Sequence, residues 1–343
     1  MTIASRHFLL LDFLRIFAVF IIAPYYLNDF SLYKPLEGSS FVFVENLLQG
    51  IKHFSFSGFI LVFLVFFIMG FKKKNKFLLS VWIKLFFGFL ILCLFAGYSF
   101  LQWSFHWDTY HFIISSSLIV VIINYFRIPA KTIVIFGIAL LCIPFWKFSI
   151  FHTHSFWQEA LIGVCGQGVS RGTWPLLPWV GLVLFAYGLG ALYQVNQKAL
   201  AQISTKKLSI WIITVIICLS FWGGYSMMPF GAEANCFLHR QSPWVFWVHF
   251  MIILFFVRIA FLQKVQDYLA QYRGFVLLEK LSWSTHFGLS FIVFLIINAL
   301  CGKYFYDLLA KDDLYLLVLS WCSVILTHFV VTSILKAKQN LQV

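Results

Sequence analysis

Long apolar runs are the feature that most constrains what this chain can fold into. Runs of about 18 residues or more, the length that a helix needs to cross a bilayer, recur along the whole sequence. In lipid the backbone must satisfy its own hydrogen bonds, which leaves helices or closed barrels as solutions. Barrel strands alternate apolar and polar residues, and these runs do not alternate. Only 11% of the residues are charged, against about 25% in an ordinary soluble protein. The sequence therefore predicts an all-α, polytopic membrane protein.

About ten transmembrane helices are predicted, and no gap between them is long enough for a separate soluble domain. We therefore expect one integral-membrane domain over residues 1–343. The predicted spans are residues 8–28, 54–71, 77–102, 110–126, 132–148, 175–194, 208–229, 243–262, 284–302 and 315–335.

The distribution of basic residues predicts the orientation. With the N-terminus in the cytoplasm, the inner segments hold fifteen Lys and Arg residues and the outer segments hold seven. This is the positive-inside bias, and an even number of spans then places both termini in the cytoplasm. The net charge of +13 is explained by topology, so we predict no nucleic-acid partner. The seven cysteines are scattered without a CxxC pair, and no metal site is predicted.

The first span, "LLLDFLRIFAVFIIAPYYL" (9–27), carries Asp12 and Arg15. Their i, i+3 spacing puts them on one helix face, where each can neutralise the other and lower the cost of burial. Two interpretations stay open, namely a pair that fixes the first helix to its neighbours and a buried element that shapes a substrate path. Pro24 predicts a kink in the outer half of this span.

Further candidates lie at the two membrane surfaces. On the inner side, "FKKKNK" (71–76) is either a topology signal or a contact for phosphates of a cytosolic donor or of anionic lipid. Lys84, in the third span, either extends its ammonium towards the inner surface or binds a phosphate there. On the outer side, "GVCGQGVSRGTWPLLPW" (163–179) predicts a structured loop that enters the sixth span.

Several segments resemble the integral-membrane acyltransferase superfamily, which includes the acyltransferase-3 family and relatives of heparan-α-glucosaminide N-acetyltransferase. Asp12, Arg15 and Ala18 match the first-span pattern LDxLRxxA, and Tyr26 stands where the family has His or Asn. The resemblance continues, in chain order, through "HFSFSGF" (53–59), "WPLLPWVGLVLFAYGLGAL" (174–192) and "LEKLSWST" (278–285). After Ser282 the tyrosine and histidine of the family pattern are missing.

The resemblance implies transfer of an acyl group, usually acetyl, from cytosolic acyl-coenzyme A to a hydroxyl or amine of an extracytoplasmic glycan. His53 is the first candidate for the general base, because it carries a motif match, and His111 is the second. Tyr26 would donate a hydrogen bond that orients the acceptor or the carbonyl, and Asp12 and Arg15 would shape the donor tunnel. The remaining candidates are Lys72, Lys73, Lys74 and Lys84 for the coenzyme phosphates, and Asp108, Glu159 and Arg171 for the acceptor.

Two other functions stay open at this point. A transporter or flippase would favour inverted repeats with interrupted spans in both halves, and we see no such pair. A catalytically inactive relative would act as a partner subunit. We expect the protein in the inner membrane of a bacterium, in contact with membrane lipid, and leave open whether it forms a homo-oligomer.

Overall fold

The computed structural model describes residues 56–72, 75–95, 109–142, 164–166, 169–171, 176–195, 287–305 and 313–340, and isolated positions from 16 to 23, at 161, from 209 to 213 and from 251 to 271. The isolated positions are helical, apart from Leu262. The structure is thus predominantly helical, as predicted.

The helices lie where the apolar runs predict them. Their bounds are α1 Phe56–Lys72, α2 Asn75–Phe95, α3 Thr109–Tyr125, α4 Ala130–Cys142, α5 Leu176–Val195, α6 Phe287–Tyr304 and α7 Asp313–Asn340. One antiparallel hairpin accompanies them, formed by β1 Val164–Gly166 and β2 Val169–Arg171. This hairpin occupies the glycine-rich segment for which the sequence predicts a structured loop.

One helix in the described part of the chain is long and apolar enough, by length and composition, to cross a membrane. It is Leu317–Ala337 within α7, and only 28% of its most apolar window is buried. The other apolar stretches are shorter: Val62–Lys72, Phe77–Leu90, His111–Tyr125, Ala130–Cys142 and Trp179–Val195.

The chain divides into two compact units. The first comprises Met1–Leu11, Val62–Ser80 and Leu101–Tyr272, and the second comprises Asp12–Leu61, Val81–Phe100 and Arg273–Val343. Most of α1, together with α3, α4, α5 and the hairpin, therefore belongs to the first unit, whereas most of α2, together with α6 and α7, belongs to the second.

Helix α5 forms the centre of the first unit, and glycines bring its neighbours close. A Cβ at Gly190 would overlap the carbonyl oxygen of Phe67 in α1, and a Cβ at Gly70 would overlap the carbonyl oxygen of Tyr187. On the α4 side, a Cβ at Gly137 would lie 2.7 Å from the backbone nitrogen of Phe185. Such close backbone approach at small residues is typical of helices that pack in lipid, where burial of apolar surface drives association little.

A compact turn joins α3 to α4. The amide of Ile128 donates to the carbonyl of Ile123 (3.2 Å) and that of Arg127 donates to Asn124 (3.1 Å), which is the hydrogen-bond pattern of a Schellman cap. Arg127 occupies the left-handed position of this cap with φ 52°. Pro129 directly precedes α4, and its carbonyl accepts a hydrogen bond from the amide of Ile133 at 3.1 Å.

Helices α6 and α7 of the second unit pack through a polar seam. The hydroxyl of Ser323 shares its proton between the carbonyl of Ser320 (2.6 Å) and Oδ1 of Asn298 (3.3 Å). The side-chain amide of Asn298 donates to the carbonyl of Phe294 (2.7 Å). Ser320 and Thr327 lie on the same buried face of α7 as Ser323 and donate to carbonyls of their own helix. An apolar cluster of Val293, Ile297 and Val331 continues this contact.

Candidate functional site

His111 is the candidate general base that the structure describes. It lies in the first turn of α3, where its side chain is partly buried and its Nε2 atom is fully buried. The next residue, Phe112, is completely buried, and its ring meets the edge of Trp179 with the ring centroids 6.4 Å apart. The start of α3 therefore packs against the start of α5.

Trp179 belongs to "WPLLPW" (174–179), which is part of one of the segments that carry the predicted family resemblance. Leu177 has φ −105° and ψ 128°, which is an extended conformation inside the first turn of α5. Pro178 explains this conformation, because the ring of a proline disfavours helical geometry at the residue before it. Regular helix therefore begins at Pro178, and the buried Trp179 is held in its first turn.

Two adjacent serines of α3 differ in their hydrogen bonding. Ser116 and Ser117 are both completely buried. The hydroxyl of Ser117 donates to the carbonyl of Ile114 at 2.9 Å. The hydroxyl of Ser116, one turn after Phe112, has no hydrogen-bond partner within the described part of the chain. A buried hydroxyl without a partner costs about 1–3 kcal/mol, which sets Ser116 apart from Ser117. We did not select it from the sequence, because Ser115, Ser116 and Ser117 are indistinguishable there.

The β-hairpin precedes α5 and carries Arg171 as the last residue of β2. Backbone pairing places Arg171 opposite Val164 and Ser170 opposite Cys165. Four residues separate Arg171 from α5. Arg171 and His111 belong to the same compact unit. The structure fixes the backbone position of Arg171 in the hairpin and describes no contact of its side chain.

The basic candidates at the predicted inner surface differ in environment. Lys72 ends α1, and its ammonium lies 5.3 Å from the ring centroid of Phe77, within cation–π distance. Lys84 is exposed on α2, beside the exposed side chains of Ile83 and Phe87. The side chains of these two lysines therefore lie in different surroundings, one over an aromatic ring and one exposed.

The remaining candidates lie outside the described residues. They are Asp12, Arg15, Tyr26, His53, Lys73, Lys74, Asp108 and Glu159. Nearby positions of the first predicted span are described, and Ile16, Ala18, Val19 and Ala23 are helical and buried.

Buried polar residues that sequence reasoning missed lie on α3, α5, α6 and α7. The hydroxyl of Tyr187 donates to Oδ1 of Asn124 (3.0 Å), and Ser323 donates to Asn298 as described above. The sequence signal for the seam was the spacing of Ser320, Ser323 and Thr327, which repeats with helical periodicity in an otherwise apolar run. No group of three or more His, Cys, Asp or Glu side chains is placed to hold a metal ion in the described ranges.

No family model, curated protein or solved structure matches this chain. The resemblance to membrane acyltransferases accordingly stays a prediction that rests on the quoted segments.

Proposed function

We propose that this protein is embedded in a membrane, because the described helices place polar residues inside and apolar residues outside. In α7, Ser320, Ser323 and Thr327 are buried, whereas Ile325 is 42% and Phe329 is 62% exposed. A surface helix of a water-soluble protein shows the opposite arrangement. Exposed apolar side chains suit contact with lipid tails, and buried hydroxyls suit a helix contact within a membrane.

Helix α3 has the same arrangement and supports the same proposal. Its buried face carries Ser116, Ser117 and Asn124, and its exposed face carries Ile122 and Tyr125. Helices α3 and α7 belong to different units, so the arrangement of buried polar and exposed apolar side chains is not confined to one part of the chain. Ten spans with both termini in the cytoplasm, in a bacterial inner membrane, remain our proposal for the topology.

We further propose that the protein transfers an acyl group from cytosolic acyl-coenzyme A to an extracytoplasmic glycan. The observation that carries this proposal is the packing of Trp179, from the family-like "WPLLPW" segment, against Phe112, the neighbour of His111. Two features selected separately in the sequence, a motif and a candidate base, therefore lie in adjoining helix starts. His53, the first candidate base from the sequence, lies outside the described residues and stays a candidate.

The residues would act on the reaction as follows. An acceptor hydroxyl or amine attacks the thioester carbonyl carbon, the C–S bond breaks, and coenzyme A leaves as the thiol. His111 would remove the proton of the acceptor and return it to the departing sulfur, which is the ordinary role of a histidine near neutral pH. The hydroxyl of Ser116 is a candidate donor to the developing oxyanion.

Transfer of radiolabelled acetyl from acetyl-coenzyme A to membrane glycan tests the proposal. Membranes that contain the wild-type protein should label a glycan fraction, and those with His111→Ala should not. Ser116→Ala should lower the rate, whereas Ser117→Ala is the matched control, because its hydroxyl is already bonded within α3. Thermal unfolding of each purified variant separates loss of activity from loss of folding.

The other outcomes identify the alternatives. Binding of acetyl-coenzyme A without transfer would indicate a catalytically inactive relative. Absence of both binding and transfer for acetyl- and longer acyl-coenzyme A would favour the transporter or flippase. Full activity of His111→Ala would remove His111 from the reaction and return His53 to first place.

A further inference from the structure

Helix α2 has two sides of different character. Its buried side includes Val81 and Leu85, and Gly88 lies against the side chain of Ile292 in α6. The opposite side is apolar and exposed, and it consists of Leu79, Ile83, Phe86 and Phe87, with Phe87 58% exposed. Lys84 lies at the border of this exposed side.

This inference rests on the membrane embedding proposed above, under which Lys84 lies at a depth where its ammonium can reach a lipid headgroup. It follows the first residue of α2, Asn75, by nine positions, or about 13 Å along the helix axis. A lysine side chain extends roughly 6 Å along a helix surface when it reaches towards an interface. The ammonium then lies near the level of the first turns of α2.

The charged residues along this part of the sequence are all positive. The sequence contains no Asp or Glu between Glu45 and Asp108, whereas this stretch holds six lysines. Lys72, at the end of α1, already lies over the ring of Phe77. Lys84 is exposed to the surroundings of the protein rather than enclosed by it.

We propose that the exposed side of α2 binds an anionic phospholipid, whose phosphate pairs with the Lys84 ammonium and whose acyl chains run along Ile83 and Phe87. Charge complementarity selects an anionic headgroup, and the exposed apolar side chains match lipid tails. A zwitterionic lipid would fill the same apolar surface without the net attraction. This proposal does not require the acyl transfer proposed above.

Titration of the purified full-length protein with phosphatidylglycerol, followed by native mass spectrometry, tests this site. Phosphatidylcholine with the same acyl chains serves as the reference lipid. Lys84→Gln should weaken the binding of phosphatidylglycerol about fivefold, which corresponds to the roughly 1 kcal/mol that one basic residue contributes near an anionic surface. Binding of phosphatidylcholine should not change, and Lys84→Arg should keep the preference.

Lys131→Gln is the matched control, because Lys131 is exposed in the first turn of α4 and carries the same charge. An equal loss in Lys131→Gln would overturn the proposal, since the effect would then be one of net charge. Unchanged binding in Lys84→Gln would overturn it directly. If acetyl-coenzyme A displaced phosphatidylglycerol and Lys84→Gln weakened coenzyme binding, Lys84 would belong to a coenzyme site and the lipid proposal would fall.

Discussion

The indole N–H of Trp321 donates a hydrogen bond to the carbonyl oxygen of Phe20, 3.1 Å away, and the two rings meet edge to face. In a continuous helix this carbonyl would accept from the amide of residue 24, and residue 24 is a proline, which has no amide hydrogen. Trp321 of α7 therefore supplies the donor that Pro24 removes from the first span.

Replacement of Trp321 by Phe should reveal this compensation. If the protein lies in a membrane as proposed, no water replaces the lost indole, and the carbonyl of Phe20 loses its donor at a cost of about 1–3 kcal/mol. In a Pro24→Ala background the amide of residue 24 can bond Phe20, and Trp321→Phe should then cost less. Thermal unfolding in lipid nanodiscs of the four proteins of this double-mutant cycle measures the difference.

Trp82→Phe is the control for that cycle. The Nε1 atom of Trp82 is buried without a hydrogen-bond partner in the described ranges, and its ring stacks on Phe86 at 5.5 Å. Removal of this N–H should therefore be neutral or slightly stabilising. If Trp321→Phe lowered the unfolding free energy equally in the wild type and in Pro24→Ala, the indole of Trp321 would not be replacing the amide that Pro24 lacks.

Tyr187→Phe should destabilise the first unit. The mutation removes the donor to Oδ1 of Asn124, and both residues are buried, so we expect a loss of about 0.6–1.7 kcal/mol, the range of hydrogen bonds between membrane helices. Tyr125 follows Asn124 in α3 but is 73% exposed, so Tyr125→Phe should have no comparable effect. Chemical unfolding in mixed micelles compares the two. A similar loss in both variants would refute a specific role for the Tyr187 hydrogen bond.

Gly190→Ala should be more damaging than Gly88→Ala. At Gly190 the added methyl meets backbone atoms of Phe67 and Phe71, which cannot move without displacing α1 from α5. At Gly88 it meets only side-chain atoms of Ile292, which are flexible. Overpacking costs about 1–3 kcal/mol, and we place Gly190→Ala at the upper end of this range.

The yield of folded protein and its unfolding temperature measure this pair of variants. Ile292→Ala should rescue Gly88→Ala, because it opens the space that the methyl needs, and it should leave Gly190→Ala unchanged. If Gly190→Ala unfolded at the wild-type temperature, the close contact between α1 and α5 would be wrong.

Ser323→Ala should weaken the contact between α6 and α7 more than Ser320→Ala. Both hydroxyls are buried on one face of α7, but only Ser323 also bonds Asn298 of the facing helix. The hydroxyl of Ser320 bonds the carbonyl of Leu317 within its own helix. We expect a difference of about 0.6 kcal/mol in unfolding free energy, measured in the same detergent. The reverse order would show that the interhelical bond contributes nothing.

Arg127→Gly should be more stable than Arg127→Ala. Residue 127 has φ 52° in the cap of α3, a conformation that costs a non-glycine residue about 1–2 kcal/mol. Both replacements remove the same charge, so their difference in unfolding temperature reports the cost of the left-handed backbone conformation. Equal stability of the two variants would contradict the left-handed conformation.

The sequence was sufficient for the positions of the described helices. The apolar runs at 54–71, 110–126 and 175–194 correspond to α1, α3 and α5 within two residues at each end. The run at 132–148 begins within two residues of Ala130, the first residue of α4, and its end lies outside the described residues.

The residues of the candidate site come partly from the sequence and partly from the structure. The sequence selected His111 and "WPLLPW" separately, and only the structure brings Phe112 and Trp179 together. Ser116 could not be distinguished from its neighbours, because the difference lies in which hydroxyl finds a partner after packing. The role of Lys84 likewise depended on which side of α2 is exposed.

The sequence by itself determined the helical class, the order of the segments and the distribution of charge, because these follow from local composition and from the cost of placing polar groups in lipid. Only the tertiary structure decided which polar side chains are paired. The Tyr187–Asn124, Ser323–Asn298 and Trp321–Phe20 bonds join residues 63, 25 and 301 positions apart. Such bonds depend on helix rotation and packing in three dimensions, and in these nearly uniformly apolar helices the sequence pattern says little about either.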